Sequence, residues 1–544
     1  MDQTNVIVIG SGLSGLVAAW HAAERGRRVL LLDQEGPQSI GGQAWWSLGG
    51  LFMVDTPEQR RLRLRDSRDL AAADWMRAAG FDRAEDANPR AWAEAYLDFA
   101  AGPMRDYLHG LGMRWFPVVG WAERGGALPG GRGNSLPRFH VTWGTGTGVV
   151  GPYADRVRAH PKITLAFRRR VTELIVEAGA VVGVAGEVLA EDAAPIGAPT
   201  SRTVTSQFAA RAEAVVIASG GIGGNHALVR AVWPVNRLGP PPSRMVSGVP
   251  AYVDGAMLGI AEGAGADIIN RDRMWHYCEG LQNWAPIWPG HGIRILPGPS
   301  SMWFDALGER MAPPCLPGFD TLATLRRILA TGHAHSWFIL TQSIIEKEFA
   351  LSGSEQNPDL TSGRWSAVLR ERLSRGATRA VEAFKDKGAD FVVARDLDTL
   401  LAGMNALTPE TPLDPGHIRA QIEARDAEVD AEAPADAQIA AIRQARRYLG
   451  DKLIRTAKPH RILDPAHGPL IAVRLNILTR KSLGGLHTDL SARVLHPDGT
   501  AFPGLYAVGE AAGFGGGGHH GYSALEGTFL GGCIFSGRVA GETV

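Results

Sequence analysis

The chain has few cysteines and no excess of charge of either sign. Its 544 residues include three cysteines, Cys278, Cys315 and Cys533, which lie far apart in the sequence. This spacing argues against a disulfide framework and against a clustered metal or iron–sulfur site, so we expect no bound metal. The 56 basic and 56 acidic side chains cancel, without a run of like charges. We therefore expect no nucleic-acid partner.

Long apolar segments are also missing. No uninterrupted apolar run reaches the roughly twenty residues that a membrane-spanning helix needs, so we expect no membrane span. The first apolar run begins about five residues after Met1, which leaves no room for a signal peptide, and we expect a cytoplasmic protein. The apolar content of 45% is sufficient for the cores of two or three domains.

Glycine is abundant, with 68 residues, and its first cluster follows a short apolar run. Val6 to Ile9 predict a buried strand, and Gly10, Gly12 and Gly15 then open a predicted helix. A second apolar run ends in Asp33, eighteen positions after Gly15. This spacing is typical of a dinucleotide site: the glycines permit the turn, the approach of phosphates and close helix packing, and the acid binds a ribose. The alternative is a βαβ turn without a ligand.

Two further glycine-rich stretches support the same interpretation. Gly41–Gly42 and Gly49–Gly50 bracket an aromatic pair, and such paired glycines allow backbone to lie against a flat ligand, although a surface turn is the alternative. The stretch 212–224 is an apolar strand that runs into Ser219, Gly220 and Gly221. It indicates a second backbone approach to the same nucleotide, because such turns gather at the carboxyl ends of parallel strands.

The composition changes at about Arg271. From there to about Arg461 an aromatic, proline-rich section is followed by mostly helical, charged segments, whereas the last 75 or so residues return to strands and glycines. We therefore predict an FAD- or NAD-type domain in two parts, residues 1–270 and 462–544, with a second domain inserted at 271–461.

Taken together, the motifs resemble a known family. The combination comprises GSGLSG at 10–15, IGGQAWWSLGG at 40–50, AVVIASGG at 214–221, LGGLHTD at 483–489 and GLYAVGEAAG at 504–513. It resembles the FAD flavoproteins of the fumarate reductase and 3-ketosteroid dehydrogenase superfamily, and within it a subfamily of predicted FAD-binding dehydrogenases. The resemblance implies an α/β fold with a discontinuous, Rossmann-like FAD-binding domain and an inserted α+β substrate-binding, or capping, domain.

The resemblance also implies a set of cofactor-binding residues. The last helix, expected from about Ser523, would point its N-terminus at the flavin. Membrane succinate dehydrogenases carry a flavin-attaching histidine where this chain has Gln43, so we expect non-covalent FAD. The implied contacts begin at the pyrophosphate and the ribose, continue along the isoalloxazine, the adenine and the second glycine turn, and end at the ribityl chain and the last helix. In chain order they are Gly10, Gly12, Ser14, Gly15, Asp33, Gln34, Gly42, Gln43, Ser47, Gly49, Gly50, Val171, Ser219, Gly220, Gly509, Glu510, Ala524 and Leu525.

The residues that bind dicarboxylates in fumarate reductases are not matched. By motif spacing the proton-donating arginine falls on Gly318, a second arginine falls on Ala524, and Arg480-Lys481-Ser482 replaces a histidine. Binding of succinate or fumarate requires cations that clamp two carboxylates, so the chain is not expected to have this activity.

Tyrosine is the alternative acid–base group, and the chain has only eight. In ketosteroid dehydrogenases, which the chain resembles, one tyrosine polarises the substrate carbonyl and another takes a proton from carbon. We predict Tyr522 and Tyr277 for these roles, with Tyr252 as the second choice for the partner and His520 as a third catalytic residue, which lines the flavin pocket. Each also has a structural alternative, namely a satisfied hydroxyl, domain core or a buried imidazole.

The predicted function is that of an FAD-dependent dehydrogenase acting on a CH–CH bond. Hydride would pass between flavin N5 and an apolar carbonyl or enone substrate, plausibly a ketosteroid. A fumarate-reductase-like enoate reductase with an altered acid is one alternative, and a flavin electron-transfer protein is the alternative of another class. Arg294 could anchor a carbonyl or carboxylate, although most arginines are solvated. The sequence indicates neither the electron acceptor nor the oligomeric state.

Overall fold

The computed structural model describes residues 4–372 and 376–544. The strands are β1 (Val6–Ile9), β2 (Val29–Leu32), β3 (Gly50–Phe52), β4 (Phe139–Val141), β5 (Ile163–Ala166), β6 (Arg169–Glu177), β7 (Ala180–Leu189), β8 (Val204–Arg211), β9 (Ala214–Ile217), β10 (Val246–Ser247), β11 (Ile268–Ile269), β12 (Met274–Gln282), β13 (Gly292–Leu296), β14 (Met302–Asp305), β15 (His335–Thr341), β16 (Ala350–Leu351), β17 (Phe391–Ala394), β18 (Leu470–Ser482), β19 (Gly485–Leu486), β20 (Arg493–Leu495) and β21 (Ala501–Ala507).

The α-helices cover both halves of the chain. They are α1 (Leu13–Glu24), α2 (Gly42–Trp45), α3 (Pro57–Arg61), α4 (Arg68–Ala79), α5 (Ala87–Ala101), α6 (Met104–Gly110), α7 (Thr145–Ala159), α8 (His226–Ala231), α9 (Val235–Leu238), α10 (Ala256–Gly263), α11 (Thr321–Ala330), α12 (Gln342–Glu348), α13 (Pro358–Thr361), α14 (Trp365–Arg372), α15 (Arg379–Lys387), α16 (Leu397–Leu407), α17 (Pro415–Ala427), α18 (Ala437–Ala445) and α19 (Thr528–Thr543).

The first sheet is mainly parallel and has the strand order β20-β21-β9-β1-β2-β5. β1 pairs in parallel with β2 and with β9, so that Val6 lies opposite both Val29 and Ala214. The four residues of β1 and of β9 are all buried, as expected for strands covered on both faces. The short apolar runs of the sequence therefore form adjacent central strands whose carboxyl ends lie at one edge.

The two ends of the chain meet on this sheet. α19 packs against α1, and glycines allow the close approach: a Cβ atom at Gly537 would lie 2.6 Å from the Ser14 carbonyl oxygen, and one at Gly541 would lie 2.5 Å from that of Ala18. The last helix is thus part of the same layer as the first. It begins at Thr528, five residues later than the sequence indicates, because residues 515–527 form successive turns.

A three-stranded antiparallel sheet of β6, β7 and β8 lies beside the first sheet. The turn between β6 and β7 has Ala178 at φ 48° and Gly179 at φ 78°, and two successive residues with positive φ are typical of a tight β-hairpin turn. β8 is polar and largely exposed. Its sequence offers no hydrophobic alternation, and it was not predicted.

The second large sheet has the order β14-β15-β18-β12-β13-β16, with β10 and β17 also paired to β18. β18 is thirteen residues long and buried over most of its length, which places it at the centre. It begins at Leu470, beyond the boundary expected near Arg461, so this sheet includes residues from outside 271–461. The exact domain bounds remain a prediction. No helix among the described residues is long and apolar enough to cross a membrane.

Candidate functional site

The turn after β1 has the geometry that its three glycines predict. Gly10 has φ 107°, and a Cβ atom there would lie 2.6 Å from the Ala218 carbonyl oxygen. A Cβ atom at Gly15 would lie 2.0 Å from the Gly10 oxygen, so Gly15 is required for packing of helix on strand. A Cβ atom at Gly12 would have no atom within 4 Å. Gly12 therefore faces open space, on the side where a ligand would lie.

Asp33 closes this turn from the end of β2. Its Oδ2 accepts hydrogen bonds from the Ser11 backbone amide at 2.7 Å and the Ser11 hydroxyl at 2.6 Å, and its Oδ1 accepts one from the Glu35 amide at 2.8 Å. Burial raises the pKa of Asp33, and these hydrogen bonds oppose the rise. The carboxyl group thus fixes the glycine turn and also lines the adjoining cavity.

The glycine pairs of the loop at 41–50 serve mainly the packing of protein on protein. A Cβ atom would lie 2.5 Å from Val150 at Gly41, 2.4 Å from Thr145 at Gly49 and 1.9 Å from Phe139 at Gly50. At Gly42 it would meet only the Gly12 backbone, at 3.2 Å. The sequence attributes all four glycines to a flat ligand, whereas three of them are needed by neighbouring side chains or backbone.

A polar network connects this loop to the last part of the chain. Gln43 Nε2 donates to Glu510 Oε2 at 2.9 Å, and the Lys481 ammonium donates to Gln43 Oε1. The Ser482 amide donates to Glu510 Oε1 at 2.8 Å. Burial lowers the pKa of Lys481, and the Glu510 carboxylate opposes this shift. The side chain at position 43 is therefore held by protein partners.

One cavity brings most of the predicted cofactor residues together. Gly15, Gly509, Ala524 and Leu525 do not line it; Gly15 and Gly509 instead allow close packing, and at Gly509 a Cβ atom would lie 2.4 Å from the Ser14 hydroxyl. The predicted residues that line the cavity are Gly10, Gly12, Ser14, Asp33, Gln34, Gly42, Gln43, Ser47, Gly49, Gly50, Val171, Ser219, Gly220 and Glu510.

The shape and chemistry of this cavity fit FAD. Gly12, Gly42 and Gly220 present backbone that no protein side chain fills closely, since the nearest atom to a Cβ at Gly220 is the Gln43 amide at 3.3 Å. The glycine turn and the N-terminus of α1 suit a pyrophosphate, and Asp33 suits a ribose. Gly527 at φ 94° begins α19, and it lines the cavity where the sequence places Ala524 and Leu525.

Tyr277 lines the same cavity. It is on β12, it is 4% exposed, and the Arg294 guanidinium lies 3.8 Å from the centroid of its ring. The cavity lining also contains the apolar side chains Phe139, Leu296 and Phe529 and the charged side chains Arg294, Arg480 and Glu526. Burial and the negative charge of Glu526 raise the pKa of Tyr277 well above its ordinary value, while Arg294 opposes. Tyr277 is therefore a protonated phenol at neutral pH.

Arg294 is a site residue for which the sequence predicts solvation as the usual case. It is buried on β13 and donates to Glu526 at 2.8 Å and to Glu123 at 3.2 Å, with Glu279 3.6 Å away. Sequence reasoning missed the three acids. The one local signal is that Glu279 follows Tyr277 by two positions on β12, which places both side chains on one face of the strand.

Tyr522, which the resemblance places in the catalytic site, is not among the residues that line the cavity. Its hydroxyl donates to Asp82 at 2.9 Å, and the Arg273 guanidinium lies 4.0 Å from its ring centroid. Its backbone amide donates to the Ala79 carbonyl at the end of α4. The physical reason is the run of turns before α19, which directs this side chain towards α4 and away from the cavity.

His520 is also placed away from the cavity lining. It is fully buried, its ring stacks on Trp75 with an interplanar angle of 6°, and its Nε2 lies 2.7 Å from the Thr528 hydroxyl and 3.2 Å from the His519 Nε2. Burial lowers the pKa of His520 well below its ordinary value and that of His519 to about 3. Both are neutral interior histidines. Tyr252, by contrast, lines the cavity near Asp33 and Gln34.

Comparison with known proteins identifies the family. The family model described as "FAD binding domain" matches residues 5–530. A KsdD-like steroid dehydrogenase of Mycobacterium tuberculosis is 58% identical over 538 residues, which cover 99% of this chain and 95% of that protein. A KsdD-like steroid dehydrogenase of Mycolicibacterium smegmatis is 59% identical over 530 residues, covering 97% and 96%.

Solved structures show the same fold. The 3-ketosteroid Δ1-dehydrogenase of Sterolibacterium denitrificans matches with a TM-score of 0.68 at 16% identity, covering 100% of this chain and 99% of that one. A flavocytochrome c3 fumarate reductase matches with a TM-score of 0.63 at 17% identity, covering 99% and 78%. The resemblance inferred from the motifs is confirmed. The chain belongs to the FAD binding domain family, and it is an FAD-dependent oxidoreductase.

Proposed function

We propose that this flavoprotein is a dehydrogenase that removes a hydride and a proton from adjacent carbons of an apolar carbonyl compound of the ketosteroid class, or runs that step in reverse. The observation that carries the proposal is that Tyr277 and the glycine turn line the same cavity. An acid–base group and the cofactor site thus face one cavity, whose lining also includes the apolar side chains of Phe139, Leu296 and Phe529. The names of the mycobacterial relatives support the same substrate class.

FAD, when bound, supplies the acceptor for the hydride. The glycine turn, Asp33 and the backbone at Gly42 and Gly220 would hold it. We infer that it is bound without a covalent link, because position 43 is a glutamine engaged with Glu510 and Lys481. Denaturing the yellow holoprotein should release all its flavin into the supernatant; flavin retained on the precipitated chain would contradict this.

Tyr277 is the group that would handle the proton. Its raised pKa keeps the phenol protonated, so that it can donate a hydrogen bond to a substrate oxygen. It can also take a proton from the substrate if a neighbouring acceptor takes the phenolic proton. The second large sheet supplies both Tyr277 and Arg294, and we infer that this sheet forms the substrate-binding wall over the cofactor.

The test is anaerobic reduction of the bound flavin, followed by its visible absorbance. A 3-ketosteroid should bleach the flavin, whereas a steroid of similar size without the 3-keto group should not. Bleaching only by a reduced dye, reversed by an enoate, would replace this proposal by the enoate reductase. Bleaching by a protein donor alone would leave an electron-transfer protein.

One observation favours the enoate reductase as a second candidate. Arg480 and Lys481 line the same cavity as Tyr277, and no ion pair to the Arg480 guanidinium is formed within the described part of the chain. A cation of this kind could bind a substrate carboxylate. Replacing Arg480 by methionine should raise the KM for an acidic substrate and leave that for a neutral ketosteroid unchanged.

A further inference from the structure

Three acidic side chains share one arginine behind Tyr277. Arg294 Nη1 donates to Glu526 at 2.8 Å, its Nη2 donates to Glu123 at 3.2 Å, and its Nε lies 3.6 Å from Glu279. All four side chains are at most 8% exposed. We call these four residues the acid cluster. They come from a loop, from β12 and β13, and from the turn before α19.

The acid cluster cannot be fully ionised. Three negative charges against one positive charge would leave a buried surplus, and neighbouring like charges raise one another's pKa. Burial raises the pKa of Glu123 well above its ordinary value and also raises that of Glu279, and Glu526 adds to both shifts while Arg294 opposes them. The cluster therefore holds at least one proton at neutral pH.

The three acids differ in their hydrogen bonds. Glu526 accepts from Arg294 and, at 3.1 Å, from the Trp275 indole. Glu123 accepts from Arg294 and from the Thr321 hydroxyl. The Oε2 of Glu279 has no hydrogen-bond partner among the described residues. Glu526 has the donors that a carboxylate prefers, and it also lines the cavity beside Tyr277.

Tyr277 needs such a partner in order to act as a base. A phenol that is protonated can take a proton from carbon only if it passes its own proton on. Arg294 lies 3.8 Å from the centroid of the Tyr277 ring and also donates to Glu526 at 2.8 Å, so it connects the two side chains. Besides burial, the charge of Glu526 raises the pKa of Tyr277, and Arg294 and Arg480 oppose this rise. These groups come from β12, β13, β18 and the turn before α19, which are the elements around the phenol.

We propose that Glu526, held by Arg294, is the proton acceptor for Tyr277. As Tyr277 takes a proton from the substrate carbon, its phenolic proton moves to the Glu526 carboxylate. Bound FAD would accept the hydride of the adjacent carbon, so that the substrate would gain a double bond and the cluster one proton. Glu526 is thus a positioning residue that acts through Tyr277, and the inference rests on the dehydrogenase function proposed above.

The test is the pH profile of flavin reduction in the Glu526→Gln holoprotein. Glutamine keeps the shape and can still accept from Arg294, but it cannot take a proton. Reduction by a ketosteroid should be slower by about tenfold or more at neutral pH. It should then rise by about tenfold per pH unit as Tyr277 ionises, whereas the wild-type rate should be flat over that range.

Glu123→Gln is the matched control, since Glu123 is equally buried and shares Arg294. Its profile should stay flat like that of the wild type. A Glu526→Gln profile with the wild-type shape would overturn the proposal. If that variant does not fold, Glu526→Asp retains the carboxyl group and should keep a flat profile at a lower rate; a sloping profile would overturn the proposal as well.

A second measurement needs no substrate. The tyrosinate absorbance of Tyr277 is obtained by subtracting the titration of a Tyr277→Phe variant, in the wild-type and in the Glu526→Gln background. Removal of the negative charge should lower the pKa of Tyr277, and identical titrations would overturn the proposal. A flavin that no ketosteroid reduces would refute the proposed function instead, so the two failures are distinguishable.

Discussion

Tyr277 and Tyr522 pack in the same hydrophobic cluster, but their hydroxyl groups have different surroundings. Each ring lies about equally close to an arginine, 3.8 Å for Arg294 and 4.0 Å for Arg273. Tyr277 lines the cavity and has an acid cluster behind it, whereas the Tyr522 hydroxyl is bound to Asp82, whose side chain is 63% exposed. The difference shows that access to the cavity, and not the tyrosine–arginine pair, marks the candidate for catalysis.

The largest effect is expected from removing the arginine at the Tyr277 side. Arg294→Met leaves three buried acids without their shared cation, and it should lower the free energy of unfolding by about 3–5 kcal/mol. Burial already raises the folded-state pKa of Glu123 and of Glu279, and loss of the opposing Arg294 charge should raise both further above their unfolded values. The loss of unfolding free energy should therefore grow as pH rises. Above the unfolded-state pKa, the unfolded chain releases a proton that the folded chain retains, and this favours unfolding.

Urea unfolding of the holoprotein at two pH values measures this deficit. The corresponding change at the Tyr522 side, Arg273→Met, is the comparison, since Arg273 pairs with Asp86 and the partly exposed Asp82. If Arg294→Met loses the same unfolding free energy at both pH values, the protonation inferred for the acid cluster is wrong.

An intermediate effect is expected at His520, two residues before Tyr522. Burial holds its folded-state pKa well below the ordinary value of 6.5. Below about pH 6.5 the unfolded chain therefore binds a proton that the folded chain does not, and stability falls with falling pH by about 1.4 kcal/mol per unit. His520→Asn should reduce this slope by about that amount.

The midpoint of thermal unfolding against pH measures the slope, and His417→Asn, which changes an exposed histidine, is the control. Flavin reduction by substrate should change little in the His520 variant. A large loss of reduction rate with an unchanged acid slope would return His520 to the catalytic role predicted from the sequence.

The smallest effect is expected at Tyr522. Tyr522→Phe removes one hydrogen bond to a partly exposed carboxylate, and it should cost about 1 kcal/mol or less. Asp82→Asn, which keeps an acceptor for the hydroxyl, should cost still less. Unfolding midpoints of both variants check this; a loss of several kcal/mol would show that the turn before α19 depends on this bond.

The parts of the site that were predictable are those set by local chain geometry. Gly10 and Gly15 lie within one strand-turn-helix unit: Gly10 takes φ 107° in the turn, and Gly15 packs against the Gly10 carbonyl group five positions earlier. The spacing to Asp33 likewise reflects one βαβ unit. At these residues the spacing in the sequence directly reflects the geometry of the turn. The part of the cavity near the glycine turn and Asp33 was therefore predictable.

The acid cluster and the position of Tyr522 depend on contacts distant in sequence. Arg294 and Glu526 are 232 positions apart, and no local pattern relates them. The start of α19 was placed too early because Ser523 to Leu525 have no helix-breaking residue, although Gly527 at φ 94° fixes the true N-cap. With that shift of a few residues, the sequence assigns the flavin-facing position to Ala524 and Leu525, whereas the cavity wall has Glu526 and Gly527.

The most direct test of the account is anaerobic flavin reduction by a 3-ketosteroid in Tyr277→Phe and Tyr522→Phe holoproteins side by side. Both variants should retain FAD. We expect the flavin of the Tyr277 variant to be reduced about a hundredfold more slowly than that of the wild type. The flavin of the Tyr522 variant should be reduced at the wild-type rate. Loss of reduction in Tyr522→Phe with normal reduction in Tyr277→Phe would contradict the assignment of the chemistry to the cavity end.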